Sequence, residues 1–117
     1  MADTSEITGS ILNSVKKQLG PGVEYDHFDP EIIMDINSVF TILHQLGVGP
    51  ENGFSIESED DLWTDYMPEG SNLELVKTYM FIKVKLMFDI QTLTSPIISA
   101  LQEQAQEYEW RLNVAVD

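Results

Sequence analysis

The chain has 117 residues, of which 43% are apolar and 22% are charged, and these proportions are typical of one globular domain over residues 1–117 rather than of a disordered chain. It contains no cysteine, which excludes disulfides, thiolate metal sites and a cysteine nucleophile. Its formal net charge of −14 argues against binding to a phosphate backbone or an anionic membrane, because both need lysine and arginine to neutralise phosphates.

The first two predicted helices are amphipathic. Apolar side chains at helical spacing predict the first helix over about 5–19, with Thr4 or Ser5 as its N-cap. The second helix is predicted over about 30–46, where Asp29 would cap its start and a proline would occupy its first position. The start of the chain lacks the basic residues and apolar run of a signal peptide, so we expect no leader.

An acidic segment with one tryptophan follows in 55–70. Ser58, with an acid three residues later, predicts a short third helix over about 59–66. Part of the acidity would therefore stabilise a helix start, where backbone N–H groups are free. Five carboxylates, which we call the acidic cluster, fall within nine residues: Glu57, Glu59, Asp60, Asp61 and Asp65.

The charge distribution leaves two interpretations of the acidic cluster open. No lysine or arginine occurs between Lys17 and Lys77, whereas thirteen carboxylates lie there. Surface acids improve solubility in general. They also suit a surface that must not adhere to DNA, because like charges repel.

The fourth predicted helix, over about 72–89, is apolar on most sides. A capping box opens it at Ser71, and five charged side chains between 73 and 90 are too many for a membrane span, which predicts a soluble protein. A helix apolar on most sides is usually central and buried, but in so short a chain it could bury one side against another subunit. The candidates for that subunit interface are Val76, Tyr79, Met80 and Ile82.

The fifth predicted helix begins at Ser95, before a proline, and runs to about residue 112. The valines of 113–117 predict an extended C-terminal tail. Four residues near this end are candidates for docking to a partner: Trp110, Arg111, Val114 and Val116. The predicted fold is therefore an all-α small bundle of four main helices plus one short helix, with an acidic loop and an extended C-terminal tail.

Few residues suggest catalysis. His27 lies among three potential ligands in 24–29, but no HExxH or paired-histidine spacing supports a metal site there. His44 is expected to be a half-buried structural histidine, since no nucleophile accompanies it. We therefore expect that the protein is not an enzyme and that it binds neither a metal nor a cofactor.

Several segments resemble the head–tail connector proteins, or head-completion adaptors, of tailed phages, especially phages of Gram-positive bacteria. They are FDPEIIMDINSVFTILHQLGVGP with the FSI after it, VKTYMFIKVKLMFD, and SPIISALQEQAQEYEWRLN. The resemblance covers about 7–114. It implies a non-enzymatic virion protein that forms a ring, usually of twelve subunits, beneath the portal. Such a ring extends the DNA channel, lets DNA pass without specific binding, and receives the head-closure or tail protein after assembly in the host cytoplasm.

This resemblance suggests a role for each candidate surface. The acidic cluster would face the channel, and the fourth helix would pack between subunits of a closed ring. Trp110 and the tail would dock onto the portal or an adjacent subunit, where the valines could add hydrogen bonds to a strand edge. Two alternatives remain: an acidic DNA mimic that inhibits a host nucleic-acid-binding protein, and a metal-dependent enzyme that uses 26–29.

Overall fold

Helices make up the regular structure of residues 9–20 and 26–116, which are the residues that the computed structural model describes. Five α-helices lie wholly within the described residues: α1 (Ile11–Leu19), α2 (Asp29–Gln45), the single-turn α3 (Trp63–Tyr66), α4 (Ser71–Phe88) and α5 (Ser95–Val116). A short 3-10 turn, Asp26–Phe28, leads into α2. No β-strand occurs among the described residues, so the prediction of an all-α bundle with four main helices and one short helix is confirmed.

Helix α4 lies at the centre of the bundle, where it packs against α1, α2 and α5. Val76, Tyr79 and Met80 have no exposed surface, and Ile82 is 8% exposed. The prediction of a subunit interface at these four residues is therefore wrong for the folded chain, because its own helices already cover them. The alternative of a central, buried helix is the one that the structure supports.

Ser10 is the N-cap of helix α1, and residues 5–8 of the helix predicted over 5–19 lie outside the described residues. The Ser10 hydroxyl accepts a hydrogen bond from the backbone N–H of Asn13 at 3.2 Å, and the helix starts at Ile11. The predicted caps, Thr4 and Ser5, lie outside the described residues.

Asp29 does not cap α2, contrary to prediction. It occupies the first helical position and makes no side-chain capping bond. Instead, one of its carboxylate oxygens lies 2.8 Å from the Lys16 ammonium nitrogen. This ion pair joins the start of α2 to the last turn of α1.

Helix α5 continues through the predicted tail as far as Val116. The prediction of an extended tail over 113–117 is therefore wrong for 113–116, and Asp117 lies outside the described residues. Leu112 is 1% exposed and fixes the last turns against the bundle. Valine favours strands only where a pleated neighbour packs against it, and the described residues contain no sheet that could provide one. Within the same described ranges, no helix is both long and apolar enough to cross a membrane.

Candidate functional site

The connection from α2 to α3 is held close to the bundle at its start. Gly49 has a φ of 92°, and a Cβ there would lie 2.6 Å from the Tyr66 ring, so only glycine fits without displacement. His44 donates from Nε2 to the carbonyl oxygen of Glu51 at 2.9 Å. His44 is exposed, not half-buried as predicted, but its contact is structural as expected.

Asn37 of α2 anchors the middle of this connection. Its side-chain oxygen accepts from the backbone N–H of Ile56 at 2.8 Å, and its Nδ2 donates to the Ile56 carbonyl oxygen at 3.1 Å. The Ile56 side chain is 2% exposed and joins the core. The acidic cluster therefore begins directly after a fixed main-chain position.

The N-terminus of α1 provides a second anchor. The Ser10 hydroxyl donates to the carbonyl oxygen of Glu59 at 2.7 Å, and the Ile11 N–H donates to the carbonyl oxygen of Asp61 at 3.1 Å. Farther along α1, the Ser14 hydroxyl accepts from the Trp63 indole N–H at 2.9 Å. The contacts at Glu59 and Asp61 hold the acidic cluster against α1 through main-chain carbonyl groups and use none of its carboxylates.

Two carboxylates of the acidic cluster accept hydrogen bonds from main-chain N–H groups of the same chain. The Asp61 carboxylate accepts from the backbone N–H groups of Glu57 at 2.7 Å and Ser58 at 3.2 Å. The Asp65 carboxylate accepts from the backbone N–H of Leu62 at 3.0 Å and so caps α3. The turn closed by Asp61 explains why α3 begins at residue 63 and not at the predicted 59.

The other three members are exposed, and we call them the acidic edge: Glu57, Glu59 and Asp60. Within the described ranges, none of the three carboxylates forms an ion pair or accepts a hydrogen bond. Four of the six basic side chains lie beside other acids, in the pairs Lys16–Asp29, Lys77–Glu74, Lys85–Asp89 and Arg111–Glu107. The negative charge of the acidic edge is therefore not neutralised by any described cation in direct contact.

A cluster of aromatic side chains packs beneath the acidic segment. The Phe40 ring centroid lies 5.0 Å from that of Phe54 and 4.7 Å from that of Tyr66. Trp63, 1% exposed, lies 6.3 Å from Phe40 by the same measure. Such packing gives a rigid support, and burial raises the pKa of the Tyr66 hydroxyl above its usual range.

A second candidate surface lies on α5. Trp110 is 68% exposed and Val114 is 51% exposed, and their spacing of four residues places them on the same side of the helix. We call these two residues the docking pair. Because the main chain of 113–116 is helical, the predicted docking of an extended tail to a strand edge is wrong.

The remaining two docking candidates contribute less to this surface. Arg111 donates to the Glu107 carboxylate at 2.7 Å, and its guanidinium carbon lies 5.5 Å from the centroid of the Tyr108 ring. Its charge is therefore already engaged within α5. The main chain of Val116 is helical, but its side chain lies outside the described part of the chain.

The described ranges hold no group of three or more histidine, aspartate or glutamate side chains that could bind a metal. His27 is exposed, and its ring meets that of Phe28 edge-on with centroids 4.8 Å apart.

The structure is a helical bundle that exposes three acidic side chains on one surface and two apolar side chains on another. A family model described as "Phage connector protein" matches residues 11–117, which include all five helices. The chain therefore belongs to the phage connector protein family. This family consists of structural proteins of the virion neck. No curated protein and no solved structure matches the chain.

Sequence reasoning missed the residues that position the acidic edge, namely Ser10, Ser14 and Asn37. Ser10 stands after Gly9 and three residues before Asn13, a pattern typical of an N-cap rather than a helix interior. Asn37 is a polar residue beside the apolar stripe of α2, which could have indicated a half-buried amide in need of partners. Nothing in the sequence indicates that those partners belong to Ile56.

Proposed function

We propose that the chain is a head–tail connector, or adaptor, that forms a ring of twelve subunits beneath the portal. The ring extends the DNA channel and receives the head-closure or tail protein, and it assembles in the host cytoplasm before it becomes part of the virion neck. Its role is structural, without catalysis. The observation that carries this proposal is the match of residues 11–117 to the connector family.

In this proposal the acidic edge faces the channel. Its three carboxylates are exposed, and the main chain behind them is fixed by Asn37 and Ser10. Repetition around a ring would produce a continuous band of negative charge. DNA would slide past such a band without long-lived contacts, because like charges repel.

The docking pair contacts the portal or the adjacent subunit. Trp110 and Val114 expose large apolar side chains on a rigid helix, and tryptophan is enriched among residues that dominate interfaces. Arg111 and Val116 were candidates for the same role, but the charge of Arg111 already contacts Glu107. The pair Trp110 and Val114 therefore supports the proposal more strongly than the original group of four.

Exposed, unpaired carboxylates would also suit a DNA mimic. The family match favours the connector over that alternative, because connectors belong to the virion neck. The two functions differ in their partner: a connector binds a portal, whereas a DNA mimic binds a basic host protein.

Native mass spectrometry of the purified chain, with and without assembled portal, tests the proposal. We expect a closed ring bound to the portal, and we expect the portal to be needed for ring closure because net charge far from zero opposes self-association. The portal alone is the control. A chain that stays monomeric and unbound beside an intact portal would refute the proposal.

A further inference from the structure

The two hydrogen bonds between Asn37 and Ile56 have the form of a strand pairing. One side-chain amide donates to the Ile56 carbonyl oxygen at 3.1 Å and accepts from the Ile56 N–H at 2.8 Å. Thus a single side chain on α2 satisfies both polar groups of one main-chain residue. A buried main-chain group needs such partners because an unsatisfied one is costly.

This pairing determines which side chains face outward. Burial alternates along this stretch: Ser55 is exposed, Ile56 is 2% exposed and Glu57 is exposed, so neighbouring side chains lie on opposite sides. A shift of one residue would turn Glu57 toward the core and Ile56 toward solvent. Hydrophobic burial of Ile56 favours the observed register, and the Asn37 amide fixes it at the same residue.

We propose that Asn37 is a positioning residue that locks the register of the acidic segment at Ile56 and so directs Glu57, the first carboxylate of the acidic edge, outward. This inference rests on the proposed function of the acidic edge for its consequence, although the register itself can be tested without it. Ser10 supports the turn that follows Ile56 through the Glu59 carbonyl oxygen, but within 55–70 only Asn37 uses one side chain to bind both main-chain polar groups of a residue.

The first experiment measures hydrogen exchange of the Ile56 amide in Asn37→Ala. We expect exchange about tenfold faster than in wild type, because a lost hydrogen bond is worth about one order of magnitude in a local opening equilibrium. Gln45→Ala is the matched control, since it removes an exposed amide from the same helix. Unchanged Ile56 exchange in a folded Asn37→Ala protein would overturn the proposal. If Asn37→Ala does not fold, Asn37→Ser is used for the same measurement.

The second experiment separates positioning from stability and from the proposed function. Phage particles carrying Asn37→Ala are compared with particles carrying Glu57→Lys, Glu59→Lys and Asp60→Lys together, and with Leu101→Ala, which lowers stability from α5. We expect the salt dependence of DNA release to change in the first two and to stay normal in Leu101→Ala.

Three other outcomes are informative. Normal release in Asn37→Ala, with altered release in the triple variant, would overturn the positioning role. Altered release in Leu101→Ala as well would also overturn it, because stability alone would then explain the effect. Normal release in the triple variant would instead refute the proposed function of the acidic edge. The hydrogen exchange of the Ile56 amide would then test only whether Asn37 fixes the register.

Discussion

Tyr79 on α4 donates a hydrogen bond to the Glu109 carboxylate on α5, with 2.7 Å between the two oxygens, although the Tyr79 side chain has no exposed surface. A buried tyrosine needs such a partner for its hydroxyl. The contact satisfies the buried Tyr79 hydroxyl of α4 within one chain, because its partner lies on the neighbouring helix α5 and not on another subunit.

Replacement of Tyr79 by phenylalanine should lower the free energy of unfolding by about 1 kcal/mol, because the hydrogen bond to Glu109 is lost while the ring remains. The melting temperature should fall by about 4 °C. Tyr108→Phe is the control, since the Tyr108 hydroxyl makes no hydrogen bond to a described residue. Equal losses in the two variants would mean that the Tyr79–Glu109 contact adds nothing.

Alkaline pH should destabilise the chain. Burial raises the pKa of Tyr79 above its ordinary value of 10.0, and Glu109 raises it further; burial also raises the pKa of Tyr66. The folded state therefore keeps protons that the unfolded state releases above about pH 10, so stability is complete below that pH and falls as the pH rises. Urea unfolding between pH 8 and 11 should show this decline, and the decline should be shallower in Tyr79→Phe. An identical pH dependence in both proteins would count against the raised pKa of Tyr79.

Neighbouring acids of the acidic cluster should differ in their effect on stability. Asp61→Ala should lower the free energy of unfolding by about 1 kcal/mol, because the N–H groups of Glu57 and Ser58 lose their acceptor. Asp60→Ala should change it by less than about 0.5 kcal/mol, as is usual for exposed positions. Chemical denaturation of both variants measures the difference. If Asp60→Ala were as damaging as Asp61→Ala, the division of the cluster into internal and outward-facing carboxylates would fail.

The docking pair should matter for assembly and not for folding. Trp110→Ala combined with Val114→Ser should leave the melting temperature nearly unchanged, since both side chains are exposed, and should prevent incorporation into tail-ready heads. Met34→Ala is a matched control, because Met34 and Trp110 are each 68% exposed. Incorporation at wild-type level, measured by the amount of chain in purified particles, would exclude a docking role for this pair.

Local patterns in the sequence were sufficient to predict the main helices. The apolar stripe of α2, the start of α4 near Ser71 and the start of α5 at Ser95 each depend on residues close together in the chain. Helix formation depends on such short-range patterns, which explains why these helices are found where they were predicted. The capping box predicted at Ser71 is wrong, because Gly70 is the N-cap of α4 and no side chain makes a capping hydrogen bond there.

Contacts between distant parts of the chain could not be predicted in this way. The apolar surface of α4 was evident, but a helical wheel does not tell whether α2 and α5 or a second subunit covers it. Ser14 and Trp63 are 49 positions apart, and their hydrogen bond has no local signature. The extended tail predicted from the C-terminal valines is wrong for a related reason, because strand propensity depends on a neighbouring strand.

The most direct test is a cryo-electron microscopy reconstruction of the virion neck. We expect this chain as a closed ring directly below the portal, with Glu57, Glu59 and Asp60 facing the lumen and Trp110 at a protein contact. The absence of the chain from the neck would refute the connector assignment, and a ring with the acidic edge on its outer surface would refute the role of that edge in DNA passage.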